Sequence, residues 1–204
     1  MLIDFHTHTK VAEGVVTPRA FGLHPWHLSD SYRDTPLAAF EEAEMVGECG
    51  LDYCCTTDRE LQREAFEWQI AIAERLRKPV VVHCVRAQEE LLRIRHTWRG
   101  ADGKRARQPW VVHGFIGNSR QAAELLRAGI QVSIGAALLD SRREKVRNTV
   151  AWLGASRLLL ETDMDTCGIR QVYEAAADIL HNTVEELADA IKEVYAALFM
   201  PHND

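Results

Sequence analysis

Short runs of apolar and β-branched residues recur at 2–5, 20–23, 45–47, 79–82, 110–112, 130–134 and 157–160, and most of the stretches between them carry apolar residues at helical spacing. The runs predict seven strands. Val80-Val81-Val82 and Leu158-Leu159-Leu160 are apolar without alternation, the pattern of strands covered on both faces and hence of a parallel sheet. The intervening segments carry helix-start signals. Thr57 with Glu60 reads as a capping box, followed by a face of Leu61, Ala65, Trp68, Ile72 and Leu76. Thr35-Pro36 opens another helix with proline at its first position, where a missing N–H costs nothing. Asn118 caps a helix that ends at Gly129, with Ala122, Leu125 and Leu126 inward, and Thr183 with Glu186 starts the last, with Leu187, Ile191, Val194 and Leu198 as its buried stripe.

Strand and helix thus alternate along nearly the whole chain, which selects an α/β fold, either an open doubly wound sheet or a (β/α) barrel. In both, chemistry belongs at the carboxyl ends of the strands. One connection breaks the pattern. Only residues 9–19 separate the first two strands, barely the roughly dozen residues that a parallel crossover needs.

Composition narrows the class further. With 204 residues, 47% hydrophobic and 26% charged, the chain fits one soluble globular domain over 1–204, or at most two small ones, and the profile argues against a disordered, collagenous or disulfide-stapled chain. The formal net charge of −6 argues against a non-specific nucleic-acid coat protein, because the overall field repels a polyanion. Cys49, Cys54, Cys55, Cys84 and Cys167 form no Cys-x-x-Cys pair and are odd in number, which suits buried thiols in a reducing compartment. The segment 1–6 has no basic region followed by an apolar one, and no stretch approaches the roughly 20 apolar residues of a membrane helix. The expectation is a cytoplasmic protein with no membrane contact and no obligatory protein partner.

Candidate chemistry is carried by position. Of nine histidines, His6, His8, His24, His83 and His113 all fall at the carboxyl ends of predicted strands, as do Glu48 and the Glu161-Thr162-Asp163 run. The alternate spacing of His6 and His8 turns both rings to one face of an extended chain. Imidazoles and carboxylates delivered from several strands fit a divalent ion held with open positions, and grouping so many ionisable side chains without a cation would be costly. Gly47 and Gly50 flank Glu48 and allow close backbone approach. A carboxylate among histidines can bridge two metals, and Asp163 can both ligate and accept a proton from the attacking water. Glu161, two residues earlier, is kept out of the ligand set and is expected to anchor the strand end by hydrogen bonding. Asp4 and Asp52 are candidates for fixing imidazole tautomers.

Six motifs carry a resemblance. Asp4-Phe5-His6-Thr7-His8, Gly22-Leu23-His24-Pro25, Gly47-Glu48-Cys49-Gly50-Leu51-Asp52-Tyr53, Val82-His83-Cys84, Val112-His113-Gly114-Phe115-Ile116-Gly117 and Leu160-Glu161-Thr162-Asp163 resemble, in order, those of the TatD family of metal-dependent hydrolases within the amidohydrolase superfamily. The resemblance implies a distorted TIM-like (β/α) barrel. It implies that His6, His8 and Asp163 bind one metal, that His83 and His113 bind a second, that Glu48 bridges them and that His24 lines the substrate site. The cofactors would be two divalent ions, zinc, manganese or magnesium, and the catalytic residues Asp163 and Glu48.

The chain departs from the pattern at several points. The strand and helix that usually follow the first histidine pair are absent, so seven strands are expected instead of eight. The family's usual second histidine after Pro25 is replaced by Trp26, with His27 next to it. The loop after Asp163 is short, and the arginine of the family's His-x-Arg-Asp stretch is moved by one, to Arg86. These changes spare the ligands and bear on substrate.

The activity expected is hydrolysis of phosphodiester bonds, as in a TatD-like deoxyribonuclease, by a two-metal-activated water. The alternatives are a metallohydrolase of a small ester, lactone or amide, and a non-catalytic metal-binding barrel. DNA or a small phosphodiester is the partner in the first reading. Arg86 and Arg170 are the substrate-binding candidates, with Arg142 and Arg143 also on the active rim. The basic run Arg93, Arg95, Arg99, Lys104, Arg105 and Arg107 reads as a solvated face on the opposite rim.

Overall fold

The computed structural model describes residues 1–200. In chain order the strands are β1 (Leu2–Ile3), β2 (Val15–Val16), β3 (Ala20–Phe21), β4 (Met45–Asp52), β5 (Val80–Val85), β6 (Trp110–Val112), β7 (Ile130–Ile134) and β8 (Leu159–Leu160). The helices are α1 (Leu37–Glu42), α2 (Arg59–Leu76), α3 (Gln88–Thr97), α4 (Ser119–Arg127), α5 (Glu144–Leu153), α6 (Ile169–Leu180) and α7 (Val184–Leu198). All seven predicted strands are present, and the structure adds one, β2, inside the connection that looked too short. The chain packs as two compact units, one of Arg19–Val112 with Ala128–Ile130, the other of Met1–Pro18, His113–Arg127 and Gln131–Met200.

In the first of these units β3, β4, β5 and β6 run parallel in that order, with Phe21 opposite Val46, Gly50 opposite His83 and Val82 opposite Val112. β4 is irregular between Val46 and Cys49. Val80, Val81, Val82, Trp110 and Val111 are wholly buried, as the unalternating run predicts. β4 continues to Asp52, well past the predicted 45–47, because its polar and glycine positions conceal a strand from a hydrophobicity reading.

α2 covers this sheet with a face that keeps Ala65 and Ile72 of the predicted one and otherwise lies one residue further along. Gln62, Ala65, Phe66, Gln69, Ile70, Ile72 and Ala73 are buried, while Leu61, Trp68 and Leu76 are half-buried. Its cap is Asp58, whose carboxylate accepts from the N–H groups of Glu60 and Leu61, instead of Thr57. Pro36 likewise occupies the cap position of α1, one residue before the helix. Phe66 packs edge-on to Trp110 with ring centroids 5.4 Å apart. Arg95 departs from the expected solvated face. Its guanidinium lies 4.7 Å over the Trp110 ring and donates to the carbonyls of Gln108 and Ala128, and burial lowers its pKa to about 10.

In the other unit β1 and β2 pair in parallel, Leu2 opposite Val15 and Ile3 opposite Val16, joined by the helix-free connection 4–14. β7 and β8 pair in parallel through Ser133–Leu159 and Ile134–Leu160. Beyond β1 the chain turns to β8: Phe5 N–H donates to Leu160 O at 2.9 Å, and Thr7 bridges to Asp163. Tyr173 of α6 ties β1 down, its hydroxyl accepting from Ile3 N–H at 3.2 Å and donating to Ile3 O at 3.1 Å. The predicted caps hold here. Asn118 Oδ1 accepts from Gln121 N–H, and Thr183 with Glu186 forms the box that starts α7.

Candidate metal centre

In the unit that contains β1 and β8, a ladder sets the first cluster. Asp163 N–H donates to His6 O and His8 N–H to Asp163 O, both at 2.9 Å, so the alternating histidines and the aspartate share a strand end. The His6 and His8 rings meet edge to face at 4.8 Å, and His6 meets His113 at 4.7 Å. Asp163 Oδ1 lies 3.7 Å from His8 Nε2 and 4.0 Å from His6 Nε2. His6, His113 and Asp163 each offer one ligand atom, all within 4.8 Å of one another. His6 and His113 are buried and His8 is exposed. Asp163 sits at φ +52°, a backbone conformation that non-glycine residues adopt rarely and that clusters at functional sites.

The supports of this cluster are buried. Asp4 accepts from Thr162 N–H at 2.9 Å and from its hydroxyl at 2.6 Å, and burial outweighs those bonds to hold its carboxyl above the ordinary range. Glu161, fully buried, anchors the strand end as expected. It accepts from Gly114 N–H at 2.6 Å and from the Ser133 hydroxyl, and Oε1 lies 3.6 Å from His113 Nδ1. Burial pushes this carboxyl up, yet the bonds from His113 and Ser133 and the nearby imidazoles prevail and keep it below its ordinary value. Gly114, at φ +58°, supplies the left-handed turn that aims its N–H. Ser133 escaped the sequence reading and Thr162 had no role in it beyond its place in the motif, since small hydroxyl residues in buried strands give no periodic signal.

The second cluster belongs to the unit of β3 to β6. A Cβ on Gly47 would strike the Val81 carbonyl oxygen, and one on Gly50 the His83 carbonyl oxygen, so these glycines are what let β4 lie against β5 here. Glu48 Oε1 is then 2.7 Å from His83 Nδ1 and 3.2 Å from His24 Nε2, and the two imidazoles meet at 4.4 Å. The three ligand atoms fall within 4.8 Å of one another. The resemblance made His24 a substrate residue, and the structure places it against Glu48.

The far side of His83 is also engaged. Its Nε2 lies 3.2 Å from Asp52 Oδ2, which accepts from Trp26 Nε1–H at 2.6 Å, while Oδ1 accepts from Cys54 N–H at 2.8 Å. Burial raises the Asp52 carboxyl, but the donors Trp26, Cys54 and His83 together pull it below its ordinary value. Two glutamines of α2 fix the backbone on either side. Gln69 exchanges hydrogen bonds with Leu23 N–H and O, next to His24, and Gln62 does the same with Asp52. Their seven-residue spacing on a buried face was the available signal.

The donor set tests whether a metal fits. Both His83 nitrogens face carboxylate oxygens, at 2.7 and 3.2 Å. A neutral imidazole has a single N–H to give, so one of these contacts calls for a second proton or a cation between the atoms. Nitrogen and oxygen donors without thiolate suit zinc, manganese or magnesium. The residues fit a divalent ion in both clusters.

Arg86 follows β5 at φ +51° and lines a surface cavity of about 560 Å³ with Tyr53 and Glu90. Arg170, in the first turn of α6, lines a cavity of about 320 Å³ with Leu2, Val15 and Glu185 and is not part of the one beside Asp163. Arg142 and Arg143 pair with Asp140. The cavity beside Asp163, about 350 Å³, is lined by Gly114, Ile116, Gly135, Ala136, Met164 and Asp165 among others, with no lysine or arginine among the described residues. No helix among the described residues is long and apolar enough to cross a membrane.

The family model for TatD related DNase matches residues 4–200. The chain is 30% identical over 195 residues to the uncharacterized metal-dependent hydrolase YcfH of Escherichia coli, covering 87% of this chain and 72% of that protein. It is 33% identical over 149 residues to the 3'-5' ssDNA/RNA exonuclease TatD of Pantoea ananatis, covering 70% and 55%. The crystal structure of the TatD homologue YjjV from Escherichia coli superposes with TM-score 0.73 at 24% identity, over 93% of this chain and 79% of the other. A TatD family hydrolase from Entamoeba histolytica gives 0.74 at 18%, over 92% and 75%. At these identities the structural likeness shows a shared fold.

Proposed function

Because the chain belongs to the TatD-related family of metal-dependent hydrolases, we propose that it hydrolyses phosphodiester bonds with two divalent ions. The observation that carries the reading is that each unit holds an imidazole–carboxylate cluster, His6 with His113 and Asp163 in one, and His24 with Glu48 and His83 in the other. Ions bound there would acidify an attacking water and neutralise charge on the phosphoryl group.

The side chains have distinct tasks. Asp163, adjacent to His6 and His8 and half-exposed beside a cavity, accepts the proton of the attacking water. Glu48 and His83 hold a ligand pair whose geometry Gly47 and Gly50 impose. The resemblance further assigns Glu48 as the ligand common to both ions and His8 as a ligand of the first. Arg86, exposed at the end of β5, contacts a substrate phosphate. The 3'-5' exonuclease named among the relatives supports a single-stranded nucleic acid as the substrate.

A second reading has its own observation. The cavity beside Asp163 is lined by carboxylates, glycine, alanine, isoleucine and methionine and, among the described residues, by no lysine or arginine, which favours a small ester, lactone or amide over a polyanion. Incubating the full chain with a single-stranded DNA oligonucleotide and magnesium, manganese or zinc tests the first reading. Nucleotide release that EDTA stops and His83→Ala abolishes is the expected result. Absence of release with all three ions, together with turnover of lactones or small esters, would overturn it in favour of the second.

A further inference from the structure

Trp26 stands out as a large aromatic residue, 53% exposed, beside one of the two metal clusters. It is nonetheless held from two directions. Its backbone N–H donates to His24 Nδ1 at 3.2 Å within the short turn Pro25–His27, whose Pro25 is buried. Its indole N–H donates to Asp52 Oδ2 at 2.6 Å. That same oxygen lies 3.2 Å from His83 Nε2, and the other ring nitrogen of His83 lies 2.7 Å from Glu48. The contacts form one chain from a tryptophan through a carboxylate and an imidazole to a second carboxylate.

We infer that Trp26 is a positioning residue for His83, acting through Asp52. An indole N–H can only donate, so Asp52 Oδ2 must accept from it. A carboxylate oxygen fixed in this way is an acceptor on its other side as well, and it offers the His83 Nε2–H a partner at 3.2 Å. With its proton held there, His83 would turn the Nδ1 lone pair to a cation bound on the Glu48 side. Carboxylate partners of metal-binding histidines act by fixing tautomer and ring orientation. Here the carboxylate is itself oriented by a tryptophan.

The inference rests on the reading of His83 as a ligand and is independent of the substrate. Its test is therefore made first without substrate. Side-chain 15N–1H spectra of the zinc-loaded full chain, with the His83 signals assigned by their loss in His83→Gln, report the hydrogen bond made by the Nε2 proton. Wild type is expected to show a His83 Nε2–H proton shifted downfield by its carboxylate partner. In Trp26→Phe, which keeps a ring and deletes the donor, that proton signal is expected to move upfield. Affinity for zinc, measured by calorimetry, is expected to fall roughly tenfold or more at one site. Should Trp26→Phe fail to fold, replacing the indole by benzothiophene through incorporation of the analogue keeps the shape and deletes the N–H alone. An unmoved Nε2–H signal, or zinc affinities within twofold of wild type, overturns the inference. A raised KM with that signal and the affinity unchanged also overturns it, and makes Trp26 a substrate contact.

Discussion

Thr162 donates twice to one carboxylate. Its backbone N–H and its hydroxyl both reach Asp4, at 2.9 and 2.6 Å, and the next residue is Asp163. A buried carboxylate joins the segment carrying His6 and His8 to the strand end that carries Asp163. Thr162→Val removes the hydroxyl at nearly constant volume and leaves one Asp4 oxygen short of a donor. A loss of about 1–3 kcal/mol is expected in urea denaturation, together with weaker metal binding, because the Asp163 backbone loses its brace. Unchanged stability would show that the bond is dispensable.

The left-handed glycines make a sharper prediction. Gly50 lies at φ +141°, and a Cβ there would meet the His83 carbonyl oxygen. Gly50→Ala is expected to cost roughly 1–3 kcal/mol from backbone strain alone, with an additional cost from forcing β4 off β5. Glu48 should lose its alignment with His83, so metal affinity falls along with the melting temperature.

His24 separates two roles. The structure sets its Nε2 3.2 Å from Glu48 Oε1, in a trio that can hold an ion, whereas the family resemblance makes it a substrate contact. His24→Ala is expected to weaken divalent-ion binding by roughly an order of magnitude or more. A raised KM with unaltered ion affinity would return His24 to the substrate role.

Ions that bind the folded chain and not the unfolded one should stabilise it. At a free concentration about one hundred times Kd the gain is about 2.7 kcal/mol per site. Thermal melts with and without EDTA measure it, and His83→Ala is expected to remove most of the gain at its own site.

Tyr173 gives a pH signature. Burial pushes its hydroxyl up to about 12, above the value near 10 expected when unfolded. Between these values the folded chain holds a proton that the unfolded chain has lost. The contribution is complete below pH 10 and disappears as pH rises toward 12. Tyr173→Phe, which also gives up two hydrogen bonds to Ile3, should be less stable at neutral pH and less sensitive to alkali than wild type.

Several elements were concealed from the sequence for identifiable reasons. β2 has two residues, too few for periodicity, and its pairing with β1 is what makes connection 4–14 workable. α2 turned its glutamines inward, where they bond backbone next to His24 and at Asp52, because a satisfied buried amide is tolerated and a hydrophobicity pattern ranks it as outward. Arg95 stacks on Trp110 within a run of charges that otherwise looks solvated.

The sequence by itself determined the α/β class, every strand described here except β2, and the histidines and carboxylates placed at strand ends. These are local properties, set by period and by which residue follows an apolar run. Only the tertiary structure decided partnership: His24 and His83 with Glu48, His113 with His6 and Asp163, Trp26 with Asp52. Partnership depends on the register between strands far apart in the chain, such as Gly50 against His83. Register is set by close backbone contacts and buried hydrogen bonds that leave little trace in a linear pattern of polar and apolar residues.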